Sequence, residues 1–181
     1  MERCLSRLEE LKRGDAESFA ALFEEYRLRI ARYLCSLVGD ADLAEDLAQT
    51  TFVKAYRALL RGSPPENLKA WLYAIATNTA LSALRRRKLI AWLPLGTRAA
   101  DARPAGREQE VLMGRRELIA QALDRLPRAD VACLLLRFQH DLSYAELAEA
   151  LGITVPAARM RLSRARAAFR EAYLRLEQEG M

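Results

Sequence analysis

Apolar residues recur along most of the chain at the three- and four-residue spacing of amphipathic helices, and no stretch shows the sustained alternation of a strand. In the first half, this pattern predicts a helix pair before Gly39 and then helices over Ala41–Gly62 and Asn67–Lys88. Gly39–Asp40 and Gly62–Pro65 separate these helices, because glycine, proline and aspartate favour turns and helix caps. The pattern therefore predicts an all-helical fold.

A change of composition divides the chain in two. Residues 89–107 contain prolines and glycines in an Ala- and Arg-rich stretch. The apolar start of that stretch, Ile90–Leu95, is suited to packing on a domain or entering a partner's groove. Amphipathic patterns resume after it and predict four more helices. We therefore expect two small helical domains, 1–88 and 108–181, joined by a linker at 89–107.

The strongest local pattern lies at Ser143–Arg170, which predicts a short helix, a tight turn and a longer basic helix. Ser143 followed by Glu146 forms a capping-box pattern, and Gly152 supplies the backbone freedom that a sharp turn needs. Thr154 is placed to cap the second helix, where the small Ala157 permits close approach to a partner. The basic residues of that helix are Arg159, Arg161, Arg164, Arg166 and Arg170. This is typical of a helix-turn-helix that enters a DNA major groove, the alternative being a helical hairpin with a solvated arginine face.

Charge strengthens the expectation of an anionic partner. The net charge is +5 and the sequence pI is about 9.4, while half of the residues are apolar, as in a globular chain. Acidic residues concentrate between Asp15 and Asp46, whereas basic residues concentrate at Arg85–Lys88 and after Thr154. This asymmetry predicts two partners, one basic and one acidic.

Several function classes lack their usual residues. The three cysteines form no CxxC pair and His140 is the only histidine, so neither a zinc site nor a disulfide framework is predicted. Cys35 and Cys133 lie in apolar helical surroundings, which predicts buried thiols. Without a glycine-rich phosphate loop or clustered carboxylates, we expect no enzyme and no cofactor. Without a signal peptide or a membrane-length apolar run, we expect a cytoplasmic protein with no membrane span.

Two helices of the first half carry polar groups beside an apolar stripe. The stripe of Ala41–Gly62 consists of Ala48, Phe52, Ala55 and Leu59. Its docking face consists of Asp46, Gln49, Thr50, Val53 and Arg57. That mixed face suits a protein contact, but it is equally typical of a solvated surface. In the next helix, Trp71 and Tyr73 precede the basic run Arg85–Lys88, as in single-stranded nucleic-acid sites, whereas core packing and a solvated helix end are the alternatives.

Three of these stretches, in this order, resemble the extracytoplasmic-function (ECF) sigma factors of the sigma-70 class. They are DLAQTTFVKAYR (Asp46–Arg57), WLYAIATNTALSALRRR (Trp71–Arg87) and LSYAELAEALGITVPAARMRLSRAR (Leu142–Arg166). The resemblance covers nearly the whole chain. It implies a transcription initiation factor that binds core RNA polymerase, recognises the −10 and −35 promoter elements and helps to melt DNA. It also implies an anti-sigma factor as an inhibitory partner.

The resemblance further implies roles for individual residues. The docking face would contact core polymerase. The first domain would contact the −10 element through Arg61, Asn67, Lys69, Tyr73, Asn78, Arg85 and Arg86. The second domain would contact the −35 element through Thr154, Ala157, Arg159, Arg161, Arg164 and Arg166.

Two other function classes remain as alternatives. A stand-alone dimeric helix-turn-helix regulator would need a dimerisation element and would leave the docking face unexplained. A recombinase or nuclease would need clustered carboxylates or a nucleophile with its base, whereas the acids here are scattered over helix surfaces. Binding to core polymerase in the absence of DNA distinguishes a sigma factor from both.

Overall fold

The computed structural model describes residues 16–61, 65–91 and 110–179. Within these ranges the chain forms seven helices and no strand, so the all-helical prediction is confirmed. The helices are α1 (Ala16–Val38), α2 (Ala41–Leu60), α3 (Leu68–Ala91), α4 (Glu110–Asp124), α5 (Arg128–Phe138), α6 (Tyr144–Leu151) and α7 (Val155–Glu179).

Helices α1, α2 and α3 form the first domain. The chain turns between α1 and α2 at Gly39, whose positive φ of 73° favours glycine. Asp40 then caps α2, because its side chain accepts a hydrogen bond from the Leu43 N–H at 3.0 Å. The predicted apolar stripe of α2 is buried, and Phe52 meets the ring of Phe23 edge-on at 4.8 Å between centroids. Burial of this stripe orients α2 so that its docking face points outward.

Helices α4 to α7 form the second domain, and α6 and α7 are its helix-turn-helix. The Glu146 N–H donates to Ser143 Oγ at 3.2 Å, and the Ser143 N–H donates to Glu146 Oε2 at 2.7 Å, which completes the predicted capping box. Gly152 ends α6 with a φ of 63°. Thr154 Oγ1 accepts from the Ala157 N–H at 3.3 Å at the start of α7. The local predictions for this motif are therefore confirmed.

The two domains pack against each other through one continuous buried core. Helix α3 lies along α6, and α1 packs against α5. Tyr33 and Tyr73 of the first domain are buried with Leu136 and Leu142 of the second. The first part of α3 is therefore enclosed between the two domains.

The prediction of two buried thiols is wrong for Cys35, which is exposed on α1. The buried side of α1 is formed by Tyr33, Leu34 and Leu37, and a helix turns about 100° per residue, so the thiol points away from them. Cys133 is buried, and desolvation raises its thiol pKa to about 11.

Two further predictions fall at the edges of the described ranges. The linker prediction lies outside them except for the end of α3, and the apolar segment Ile90–Leu95 leaves them after Ala91. Among the helices that the structure describes, none is long and apolar enough to cross a membrane.

Candidate protein and nucleic-acid interfaces

The docking face of α2 is exposed along its whole length. All five of its residues, Asp46 to Arg57, are exposed, and Val53 exposes 48% of its surface. Two apolar side chains that sequence reasoning missed, Tyr56 and Leu60, extend the same side of the helix and are exposed by 37% and 56%. Their spacing from Val53, three and seven residues, is the signal that could have found them.

The opposite side of α2 is fixed by polar as well as apolar contacts. Lys54 Nζ of α2 donates to Thr79 Oγ1 of α3 at 3.0 Å. At the other end, Arg87 Nη1 of α3 donates to Asp40 Oδ2 at 3.0 Å. These contacts hold α2 against α3, so the docking face is a preformed surface.

The first turn of α3 contacts the helix-turn-helix. Asn67 Oδ1 accepts from the Ala70 N–H at 3.0 Å and so caps α3. Asn67 Nδ2 also donates to Glu146 Oε1 at 3.2 Å, and Lys69 Nζ donates to the Asp141 carbonyl oxygen at 3.5 Å. The caps of α3 and α6 are therefore directly joined, and two predicted −10 residues contact the second domain.

One turn further along α3, Tyr73 joins the domains more deeply. It exposes only 1% of its surface, and its Oη lies 2.8 Å from His140 Nδ1. The Tyr33 ring meets the Tyr73 ring edge-on at 5.4 Å, and Tyr33 Oη lies 2.7 Å from Thr77 Oγ1. Desolvation raises the pKa of both tyrosines, so both stay neutral. Tyr73, also a predicted −10 residue, is a buried interdomain contact in this arrangement.

His140 is neutral in this interface. Desolvation, followed by the nearby positive charges of Lys69 and Arg29, lowers its pKa to about 4, while Asp141 acts in the opposite direction. Its Nε2 atom is buried and meets no hydrogen-bond partner among the described residues. A proton on that nitrogen would be a buried, unpaired donor, which is unfavourable.

The rest of the predicted −10 surface faces away from the second domain. Asn78, Arg85 and Arg86 are exposed on α3, and Arg61 is exposed at the end of α2. The half-buried Trp71 precedes Asn78 by seven residues, which places both on one side of α3. That side combines an aromatic ring, an amide and a basic helix end, the groups that bind unstacked bases and phosphates.

Helix α7 buries one side and presents the other. Its buried side near the turn consists of Ala158, Leu162 and Ala165. Its outward face, which we define by the exposed residues on the opposite side, consists of Pro156, Met160, Ser163, Arg164 and Ala167. Of the predicted −35 residues, Thr154 and Ala157 are also exposed at its N-terminal end.

The predicted arginines of α7 differ in their surroundings. Arg161 Nε lies 3.7 Å from Asp130 Oδ1, on the flank toward α5. Arg159 stacks over the Tyr144 ring at 5.2 Å and Arg166 over the Phe138 ring at 5.9 Å. Arg164 belongs to the outward face. The arginines therefore frame this face, and only one of them lies on it.

A groove of about 1080 Å³ lies between the end of α1 and helices α4, α5 and α7. Ile119, Leu123 and the 60%-exposed Phe138 contribute its apolar lining. Arg116, Arg166 and Arg170 also line it. An apolar groove with a basic rim is suited to an amphipathic helix that carries acidic residues. In the part of the chain that the structure describes, no cluster of three His, Cys, Asp or Glu residues could hold a metal ion.

Two parts of the chain match families of known proteins. Residues 22–90 match Sigma-70 region 2, and residues 116–169 match Sigma-70, region 4. The ECF RNA polymerase sigma factor SigW of Bacillus subtilis is 27% identical, over 91% of this chain and 94% of that protein. The RNA polymerase sigma-H factor of Pseudomonas aeruginosa is 31% identical, with 91% of each protein covered.

A solved structure extends the similarity to the fold. The sigma factor RpoE, in a complex with the anti-sigma factor NepR from Bartonella quintana, matches with a TM-score of 0.71 and 25% identity. The match covers 87% of this chain and 97% of that chain, so it includes helices of both domains.

Proposed function

We propose residue-level roles for this chain, which belongs to the extracytoplasmic-function sigma factors of the sigma-70 family. It is a transcription initiation factor, the dissociable subunit with which core RNA polymerase recognises and opens promoters. The alternative of a stand-alone helix-turn-helix regulator is not favoured, because the region 2 match covers most of the first domain. We propose that the chain acts in the cytoplasm, by binding alone and without catalysing a reaction.

The division of labour follows the two domains. We assign polymerase docking and −10 recognition to residues 1–88, −35 recognition to residues 108–181, and their connection to residues 89–107. Promoter melting needs no reactive group, because binding of unstacked bases offsets an unpairing cost of about a few kcal/mol. Trp71, with Asn78, belongs to the side of α3 that would supply such binding.

The docking face of α2 is the proposed contact to core polymerase. Its support is one observation: a strip of charged, polar and apolar residues is exposed on a helix whose other side is fixed against α3. Complementary charge and a central apolar patch are typical of protein interfaces. Val53, at the centre of the strip, is the anchor we assign.

The test is binding of labelled protein to core polymerase without DNA. Asp46→Arg with Val53→Asp should weaken binding at least 100-fold, because a hot-spot residue contributes about 2 kcal/mol or more and a misplaced charge adds to its loss. Leu28→Asp is the matched control, since Leu28 is a comparably exposed apolar residue on α1. Equal loss in both variants, or none in the first, would refute this assignment.

The −10 contacts are proposed in two groups. Asn78, Arg85, Arg86 and Arg61 are exposed in the packed arrangement and are assigned to single-stranded DNA and phosphate. Asn67, Lys69 and Tyr73 contact the second domain instead, so we assign them a −10 role only after the domains separate.

The −35 contacts are assigned to the start of α7. Thr154 and Ala157 lie where the helix N-terminus approaches the duplex, and Arg159, Arg164 and Arg166 are exposed and basic. Arg161 is paired with Asp130, so we assign it a phosphate contact only where that pair is broken.

We also propose an anti-sigma factor as partner, in line with the partner of the solved relative. The groove lined by Phe138 and Arg166 supports a partner helix with an apolar stripe and acidic flanks. A partner captured from the native host and identified must compete with core polymerase for the chain. Phe138→Asp should weaken that competition. Leu174→Asp, at an exposed apolar position on α7, should not. Equal competition against both variants would place the partner elsewhere.

A further inference from the structure

Met160 stands out on the outward face of α7. It exposes 62% of its surface, more than any other large apolar residue in the described part of the chain. A helix turns about 100° per residue, so Met160 lies about 200° from Ala158, which is fully buried. It is therefore directed away from the domain core, at the centre of the proposed DNA-contacting surface.

The side chains around Met160 are mostly uncharged, and Arg164 carries the one charge on the outward face. Pro156 and Ser163 lie one turn away on either side, and neither carries charge. Arg161 is turned toward Asp130, and Arg159 stacks on Tyr144 at the flank. Apart from Arg164, the face thus consists of small, uncharged side chains around Met160, its only long apolar side chain among the described residues.

The chemistry of a major groove narrows what such a residue can contact. Residues at the flanks of an inserted helix meet phosphates, whereas those at its centre meet base edges. The thymine C5-methyl is the one apolar group on those edges. We infer that Met160 is a specificity determinant that contacts a thymine methyl in the −35 element. This inference rests on the proposed placement of α7 in promoter DNA.

The expected loss of promoter binding follows from the free energy of burying one methyl group. Removing one methyl from an apolar contact lowers binding by about fourfold. Deoxyuridine differs from thymidine only in this methyl, so it isolates the contact without altering base pairing. Met160→Ala removes the protein side of the same contact, so the two changes together should cost no more than Met160→Ala alone.

The experiment uses holoenzyme reconstituted from core polymerase and the full chain. A promoter library randomised in the upstream element first defines the thymines that the wild type selects. Each selected thymine is then replaced by deoxyuridine, and open-complex formation is measured. We expect one position at which deoxyuridine costs the wild type about fourfold and costs Met160→Ala nothing. Met160→Leu, which stays apolar, should retain the effect.

Three outcomes would count against the inference. Equal sensitivity to deoxyuridine in the wild type and in Met160→Ala would assign the methyl contact to another residue. A selected element with no methyl-sensitive thymine would assign Met160 to a different contact, such as a protein partner. A holoenzyme that selects no upstream element at all would instead overturn the proposed function of α7, and this inference with it.

Discussion

The two surfaces assigned to promoter DNA differ in how accessible they are. The outward face of α7 is exposed, with Met160 at its centre. The first two turns of α3 are covered by the other domain, because Asn67 bonds to Glu146 and Tyr73 to His140. The same α6 helix that positions α7 for the −35 element thus covers part of the −10 surface. Engagement of the −10 element through Asn67 and Tyr73 therefore requires the domains to separate.

The largest expected effect comes from removing the aromatic centre of the domain interface. Tyr73→Ala should destabilise the folded protein by about 3–5 kcal/mol, because it leaves a cavity beside Tyr33 and removes the partner of His140. Chemical denaturation measures the loss, and hydrogen exchange in the first turns of α3 reports whether that surface becomes accessible. Tyr144→Ala, at an exposed tyrosine, is the control and should cost far less.

If Tyr73→Ala lost stability without faster exchange at the start of α3, the two surfaces would be independent. The comparison between a covered and an exposed promoter surface would then fail, because the interface would not control access to α3.

Acid should weaken the same interface. The folded pKa of His140 is about 4 against an ordinary 6.5, so between these values the unfolded chain binds a proton that the folded chain does not. This contribution is fully present above about pH 6.5 and is lost as the pH falls toward 4. The change is roughly 2–3 kcal/mol; its main cause is desolvation of the ring, the charges of Lys69 and Arg29 add to it, and Asp141 opposes it.

Thermal unfolding from pH 7 to pH 4 tests this expectation. The wild type should lose stability across the window, and His140→Phe should lose less because it has no titrating ring. An identical pH slope in both proteins would show that the interface does not discriminate against the histidinium ion.

A smaller effect should come from the contact between the two helix caps. Asn67→Ser keeps a residue that caps helices well but removes the amide that donates to Glu146. We expect a loss of about 0.5–1.5 kcal/mol and faster exchange at the start of α3. Glu146→Gln retains a capping-box residue, so a double-mutant cycle with Asn67→Ser isolates the interdomain bond. A coupling energy of zero would mean that the bond does not help to hold the domains together.

The features that sequence predicts well are local ones. The capping box of Ser143 and Glu146, and the outward side of α2, depend on spacings of three and four residues. The contacts that cover α3 join partners far apart in the sequence: Tyr73 and His140 are separated by 67 positions, and Asn67 and Glu146 by 79. No periodicity of the sequence connects such partners. The sequence therefore gives no indication that His140 pairs with Tyr73, although the position of His140 shortly before the Ser143 cap is predictable.

The phase of a helix also limits prediction at single residues. Cys35 and Arg161 both lie in helices that were predicted, yet the thiol is exposed and the guanidinium is turned to Asp130. Composition groups Arg161 with the other arginines of α7, whereas packing against α5 separates it from them. The sequence thus places the candidate DNA surface on the right helix. Which residues lie at its flank and which at its centre depends on how α7 packs against α5.

The smallest expected effect on stability comes from breaking the ion pair between Arg161 and Asp130. The same change should alter the salt dependence of promoter binding by α7. Asp130→Asn should change stability by less than about 1 kcal/mol, because the pair is partly exposed and its atoms are 3.7 Å apart. It should release Arg161 to a phosphate, which steepens the dependence of log promoter affinity on log salt concentration by about 0.9. The measurement is holoenzyme association with promoter DNA over a salt series.

Asp124→Asn is the control for this change, because it frees Arg128, which is not among the proposed DNA contacts, from an ion pair with Asp124. Its salt slope should equal that of the wild type. If Asp130→Asn left the slope unchanged while Arg161→Ala lowered it, Arg161 would already contact DNA in the wild-type complex. The pair of Arg161 with Asp130 would then exist only in the free protein, and α7 would gain a cationic contact to DNA on binding. In the same way, Lys69 of α3 would become available to DNA when the domains separate.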